Sequence, residues 1–250
     1  MKEQLYTIPV NEGFEADDEC PFCFMEREEE RRALRYVVGP AATYMEPTAR
    51  AATARVGFCT HHMKTLFDYG NSLGAALVLQ THYTSVLDEL KKKAKNPEIP
   101  AKKSLFAKKA APADTPYWKT LADRENNCYI CDKIEYNMSR CYHTFFELLK
   151  EEEFRKKVQS CKGFCLHHFS RMLQEAEKYL AEDQKEWFYA TVYQLMIENM
   201  ERVQDDLDWF IAKFDFRNAS EPWGESQTAL SRTMQKLKGF HPSDPPYTNK

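Results

Sequence analysis

Gly57-Phe58-Cys59-Thr60-His61-His62 and Gly163-Phe164-Cys165-Leu166-His167-His168 differ at a single position. Each is preceded by a tight cysteine pair, Cys20-Pro21-Phe22-Cys23 before the first and Cys128-Tyr129-Ile130-Cys131 before the second. The gap between second and third cysteine is 35 residues in one segment and 33 in the other. Order, local words and spacing all recur, which is the signature of an internal duplication. Upstream of each third cysteine, Glu46 to Arg55 and Glu152 to Cys161 read as matching short polar helices.

The chain has 250 residues, enough to bury a core without help from metal or disulfides. Only eight glycines and 29% charged residues favour helix over sheet, because Glu, Lys, Leu, Ala and Gln lose little rotamer freedom in a helix. We therefore expect an all-α protein of two tandem helical-hairpin units, each with a Cys3His metal site and the two related by a pseudo-two-fold duplication. The first unit is expected over 1–90 and the second over 118–214. Within the second, Val192, Met196, Met200, Val203, Leu207, Phe210 and Phe214 recur at steps of three and four, the stripe of a packed helix. In the first, Leu73, Leu77, Val78, His82, Val86 and Leu90 give a noisier version.

Residues 91–117 read as a basic Pro/Lys/Ala linker, with prolines at 97, 100, 112 and 116. Its Lys91, Lys92, Lys93 and Lys95 offer a local patch for RNA, DNA or an acidic partner, although a solvated helix end and flexible linker is the simpler account of them. The net charge of −3 gives no whole-protein case for nucleic acid or an anionic membrane. Residues 215–250 read as a tail with a turn near Pro222-Trp223-Gly224 and a short helix around Gln227 to Lys238. No segment has the apolar length to cross a membrane, and the start of the chain lacks the apolar core of a secretory signal. The expected address is the cytoplasm, where thiols stay reduced and clustered cysteines read as ligands.

Two sulfurs from a Cys-x-x-Cys turn and a sulfur and imidazole from a Cys-x-x-His helix start complete a tetrahedron around zinc. Pairing motifs within each copy assigns Cys20, Cys23, Cys59 and His62 to one site and Cys128, Cys131, Cys165 and His168 to the other. The two-residue spacing selects His62 over His61 and His168 over His167; the spare histidines are left as hydrogen-bond partners or surface residues. Three thiolates, a neutral imidazole and Zn²⁺ sum to a charge of −1, for which backbone N–H groups are sufficient donors and no special cation is required. An iron–sulfur cluster, or a metal-free redox or structural role, remains open as an alternative. Cys141 and Cys161 have no counterparts in the first copy and read as free thiols, with Cys161, four residues before Cys165, an alternate ligand or peroxide-sensitive thiol.

The opening Leu5-Tyr6-Thr7-Ile8-Pro9-Val10-Asn11, the phrase Glu19-Cys20-Pro21-Phe22-Cys23, both Gly-Phe-Cys-x-x-His units and Asp205-Asp206-Leu207-Asp208-Trp209-Phe210 resemble an uncharacterised bacterial family of duplicated cysteine-rich helical proteins. The resemblance spans nearly the whole chain. It implies the ligands His62 and His168 and brings no activity with it. A closed four-ligand site leaves no position for substrate, so the expected role is a zinc-stabilised, non-enzymatic scaffold for a protein partner. A redox protein and a nucleic-acid-associated regulator are the alternatives.

Overall fold

The computed structural model describes residues 5–41, 43–97 and 116–239. Among them it is all-helical, with eleven α-helices, three short 3₁₀ turns and no strand. In order these are α1 Thr7–Glu15, α2 Pro21–Val38, α3 Pro47–Val56, α4 Thr60–Asp68, α5 Ser72–Lys95, α6 Tyr117–Asn126, α7 Tyr129–Leu148, α8 Glu152–Ser160, α9 Leu166–Tyr179, α10 Glu182–Ala212 and α11 Ala229–Lys238. The two segments carrying the repeated words share a succession: a long helix from the cysteine pair, a short helix, a helix from Cys-x-x-His, and a longer helix. Gly57 and Gly163 each end the short-helix segment with positive φ, +81° and +78°, a conformation that disfavours any residue with a Cβ.

The helices do not pack as successive halves. One compact unit draws on Met1–Glu29 and Tyr136–Pro245, the other on Glu30–Glu135. The expected bounds of 1–90 and 118–214 follow the sequence copies, whereas the bounds of these units fall inside α2 and α7, each of which begins in one unit and ends in the other. The linker expectation falls partly inside a helix, since Lys91 to Lys95 form the last turns of α5. Lysines there complement the partial negative charge of a helix C-terminus. Residues 98–115 of that stretch lie outside the described residues, as do 240–250 of the tail, and Tyr117 at its end already begins α6.

The first unit has an aromatic core. Phe14 of α1 stacks on Phe145 at 5.5 Å between centroids, and Phe22 of α2 stacks on Tyr142 of α7 at 4.3 Å. Phe154, Phe164 and Phe188 close around them, all buried. Phe22 also lies 5.9 Å from the ring of His168, so the core packs directly on one of the predicted ligands. The second unit is more aliphatic: Leu34, Val37 and Val38 of α2 pack with Phe58, Leu66, Tyr69, Val78 and Ile130. There the Tyr129 N–H donates to Gly57 O at 2.9 Å, tying the start of α7 to the loop before Cys59. The corresponding residue after Cys20 is Pro21, which has no N–H to give.

Candidate metal centres

All eight predicted ligands converge, but not in the expected sets. Cys20, Cys23, Cys165 and His168 form one cluster and Cys59, His62, Cys128 and Cys131 the other. Each Cys-x-x-Cys meets the Cys-x-x-His of the other sequence copy, which corrects the pairing expected within copies. The bounds of the compact units match this exchange: each unit takes the Cys-x-x-Cys of one sequence copy and the Cys-x-x-His of the other, because α2 and α7 each pass from one unit into the other.

In the first unit His168 Nδ1 lies 3.2 Å from Cys165 Sγ, 3.3 Å from Cys23 Sγ and 3.5 Å from Cys20 Sγ. Cys23 and Cys165 sulfurs are 3.5 Å apart. In the second unit His62 Nδ1 is 3.2 Å from Cys59 and Cys128 and 3.3 Å from Cys131, and the Cys59 and Cys131 sulfurs are 3.9 Å apart. A tetrahedral ion with metal–sulfur bonds near 2.3 Å and metal–nitrogen bonds near 2.0 Å has sulfur–sulfur edges of about 3.8 Å and sulfur–nitrogen edges of about 3.5 Å. Both clusters have the donors and the spacing to hold a metal ion.

The second nitrogen of each histidine is also used. His62 Nε2 donates to Glu30 at 3.1 Å and His168 Nε2 to Glu26 at 3.3 Å. Such a carboxylate fixes the tautomer that presents Nδ1 to the metal and raises ligand basicity. Both carboxylates come from α2, and neither was singled out in the sequence because α2 is crowded with acidic residues from Glu26 to Glu30. His61, exposed, reaches the same Glu30 oxygen at 2.7 Å, and His167 sits with Glu26 and His168. The spare histidines thus join the hydrogen-bonded surround rather than the Cys3His sets.

Charge within the clusters follows this convergence. The Cys128 thiol falls to about 3, led by its hydrogen bond with Cys131, against burial and with help from His62. Burial opposes the charged form of His62, but bonds to Cys128 and Glu30 outweigh it and push it up to about 10. Cys165 is driven well below an ordinary thiol by hydrogen bonds from Cys20 and Cys23, while His168 is raised. Cys23 and Cys131 are raised instead, chiefly by Cys165 and Cys128 respectively, so each cluster releases one thiol proton readily and holds another, and a cation competes there with protons. Cys161 belongs to neither cluster, and burial raises its thiol to about 12, which argues against a reactive thiolate.

The two centres differ in their surroundings. In the first, Cys20, Cys23, Cys165 and His168 are all nearly inaccessible. The end of α11 closes over them: a methyl added at Gly239 would stand 3.4 Å from Cys165 Sγ and 3.5 Å from Cys23 Sγ. Lys236 of α11 is 1% exposed and donates to Glu19 O at 2.7 Å and to Lys162 O, with its charge 3.1 Å from the Glu19 carboxylate. Burial lowers its pKa, and Glu19 and then Cys20 act to restore it. Its direct partner is thus Glu19 rather than a cluster sulfur. In the second, Cys128 and His62 are buried, Cys59 is half-buried and Cys131 is exposed.

A family model matches residues 1–244 of this chain. The chain belongs to the DUF6062 family. DUF6062 is a family of unknown function, so membership fixes kinship and leaves activity to the residues themselves. No curated protein and no solved structure matches this DUF6062 chain.

Proposed function

We infer that this protein is a zinc-binding, non-enzymatic helical scaffold that holds one ion in each of its two Cys3His centres. The observation that carries the reading is the size of the cages. All four donor atoms of each lie within 4.8 Å of one another, room for one ion at bonding distance from every donor. A cluster of several irons with bridging sulfides needs its ligands spread wider, which weighs against iron–sulfur chemistry. Three thiolates and one imidazole form a closed set with no open position for substrate, which weighs against metal catalysis. The repeated helix succession supports duplication of one ancestral unit, with the motifs exchanged between copies on folding.

A partner-presenting role is supported by a groove of about 590 Å³ between α9, α10 and α11. Leu166, Phe169, Met196, Ile197, Met200 and Leu237 line it, and Leu166, Ile197 and Leu237 are exposed. Flexible methionines in an apolar groove suit the apolar face of a protein helix. Elemental analysis with an absorption spectrum, on protein purified without oxygen or added metal, tests the metal. About two zincs per chain and no visible band is the expected result; iron with sulfide and a broad visible absorption overturns it.

A further inference from the structure

The two centres have nearly the same donor geometry and opposite access. In the first, the two sulfurs that approach from different helices, Cys23 and Cys165, are 1% and 0% exposed beneath the end of α11. In the second, the corresponding sulfurs, Cys59 and Cys131, are the half-buried and the exposed members of the set, 3.9 Å apart. A small oxidant reaches a thiolate only where solvent does. Their Sγ–Sγ separation exceeds a disulfide bond of about 2.05 Å by less than 2 Å, and release of the ion removes what holds them at the wider spacing.

We propose that the Cys59/His62/Cys128/Cys131 centre is a peroxide-responsive site: oxidation joins Cys59 to Cys131 and releases its ion, while the Cys20/Cys23/Cys165/His168 centre keeps its own. This rests on reading both clusters as single-ion sites. The oxidant is hydrogen peroxide. The Cys131 sulfur, held as a thiolate while the ion is bound, attacks one peroxide oxygen, the O–O bond breaks, and a sulfenic acid and hydroxide form. The Cys59 thiolate then attacks the sulfenic sulfur, forming the S–S bond and expelling a second hydroxide. Two protons convert the hydroxides to water, so two thiolates have given two electrons to one peroxide. Cys128 and His62 remain as two ligands, too few to hold a divalent ion tightly. Restoring the thiols with a dithiol reductant regenerates the site.

The full-length zinc-loaded protein is titrated with hydrogen peroxide in the presence of a metallochromic dye, and the products are mapped as non-reduced peptides by mass spectrometry. The expected result is release of about half the bound zinc, one crosslink between the peptides carrying Cys59 and Cys131, and full rebinding after reduction. Parallel release from both centres, a crosslink at Cys23 or Cys165, or retention of both ions in excess peroxide overturns the proposal. Zinc counted before oxidation separates the two levels of the argument. A starting content near zero defeats the single-ion reading and this proposal together, whereas about two ions with no selective release defeats this proposal alone.

Discussion

Glu30 and Glu26 turn two ordinary helix-start histidines into oriented donors, because each accepts from the Nε2 side and leaves Nδ1 facing three sulfurs. Replacing Glu30 with Gln keeps the shape and removes the charge. Loss of such a carboxylate costs roughly 10–100-fold in metal affinity, and that loss is expected at the second centre alone, measured by competition with a chromophoric chelator. Equal weakening at both centres would assign Glu30 a general structural role instead. Glu19 acts differently, as the counter-charge for Arg202 at 2.6 Å and for the buried Lys236 at 3.1 Å. Burial works against its carboxylate, but Arg202 and Lys236 prevail and hold its pKa below the ordinary 4.5. Its contribution to stability is therefore complete above about pH 4.5 and is lost as pH falls through the lower folded value. Glu19→Ala strands a buried lysine and is expected to cost about 3–5 kcal/mol, read by denaturant unfolding at neutral pH. The eight Cys and His positions were legible because chemistry demands those residue types at fixed spacing. Glu19, Glu26 and Glu30 were not, since nothing in the acidic stretches that hold them distinguishes the residues that meet Lys236, His168 and His62.

At the level of elements, α11 inverts the usual pattern. Its buried residues include Arg232, Gln235 and Lys236, while Leu230, Met234 and Leu237 are exposed. The polar face finds fixed partners: Arg232 reaches Asp206 at 2.9 Å and Gln235 reaches Asp18 at 2.7 Å. Asp18 in turn accepts the Cys20 N–H at 2.9 Å, so α11 braces the turn that carries the first cysteine pair. A chain ending at Thr228 is expected to surrender the ion of the first centre to a chelator at a rate approaching that of the second, with helicity otherwise retained. If the first ion still exchanges more slowly by the same ratio as in the full chain, α11 is not what shields it. The short tail helix was readable from the sequence, but its docking was not, because its polar inward face matches no amphipathic template. Helix existence was similarly plain from composition and periodicity, whereas the extension of α5 through Lys91 to Lys95 was masked by a lysine run that reads equally well as linker.

At the level of the whole molecule, each compact unit takes its Cys-x-x-Cys from one sequence copy and its Cys-x-x-His from the other, because α2 and α7 each pass from one unit into the other. Each copy thus completes its cage with the other's half, and the repeat that made the ligands legible also suggested the wrong partners. This crossed pairing is the central claim, and metal content in double variants tests it most directly. Native mass spectrometry of Cys23→Ser/Cys165→Ser should show about one ion retained per chain, because both changes fall in the same cage, and Cys23→Ser/Cys131→Ser should retain none. Loss of both ions in the first variant, with one ion kept in variants confined to Cys23 and Cys59, would contradict the account and restore pairing within each copy.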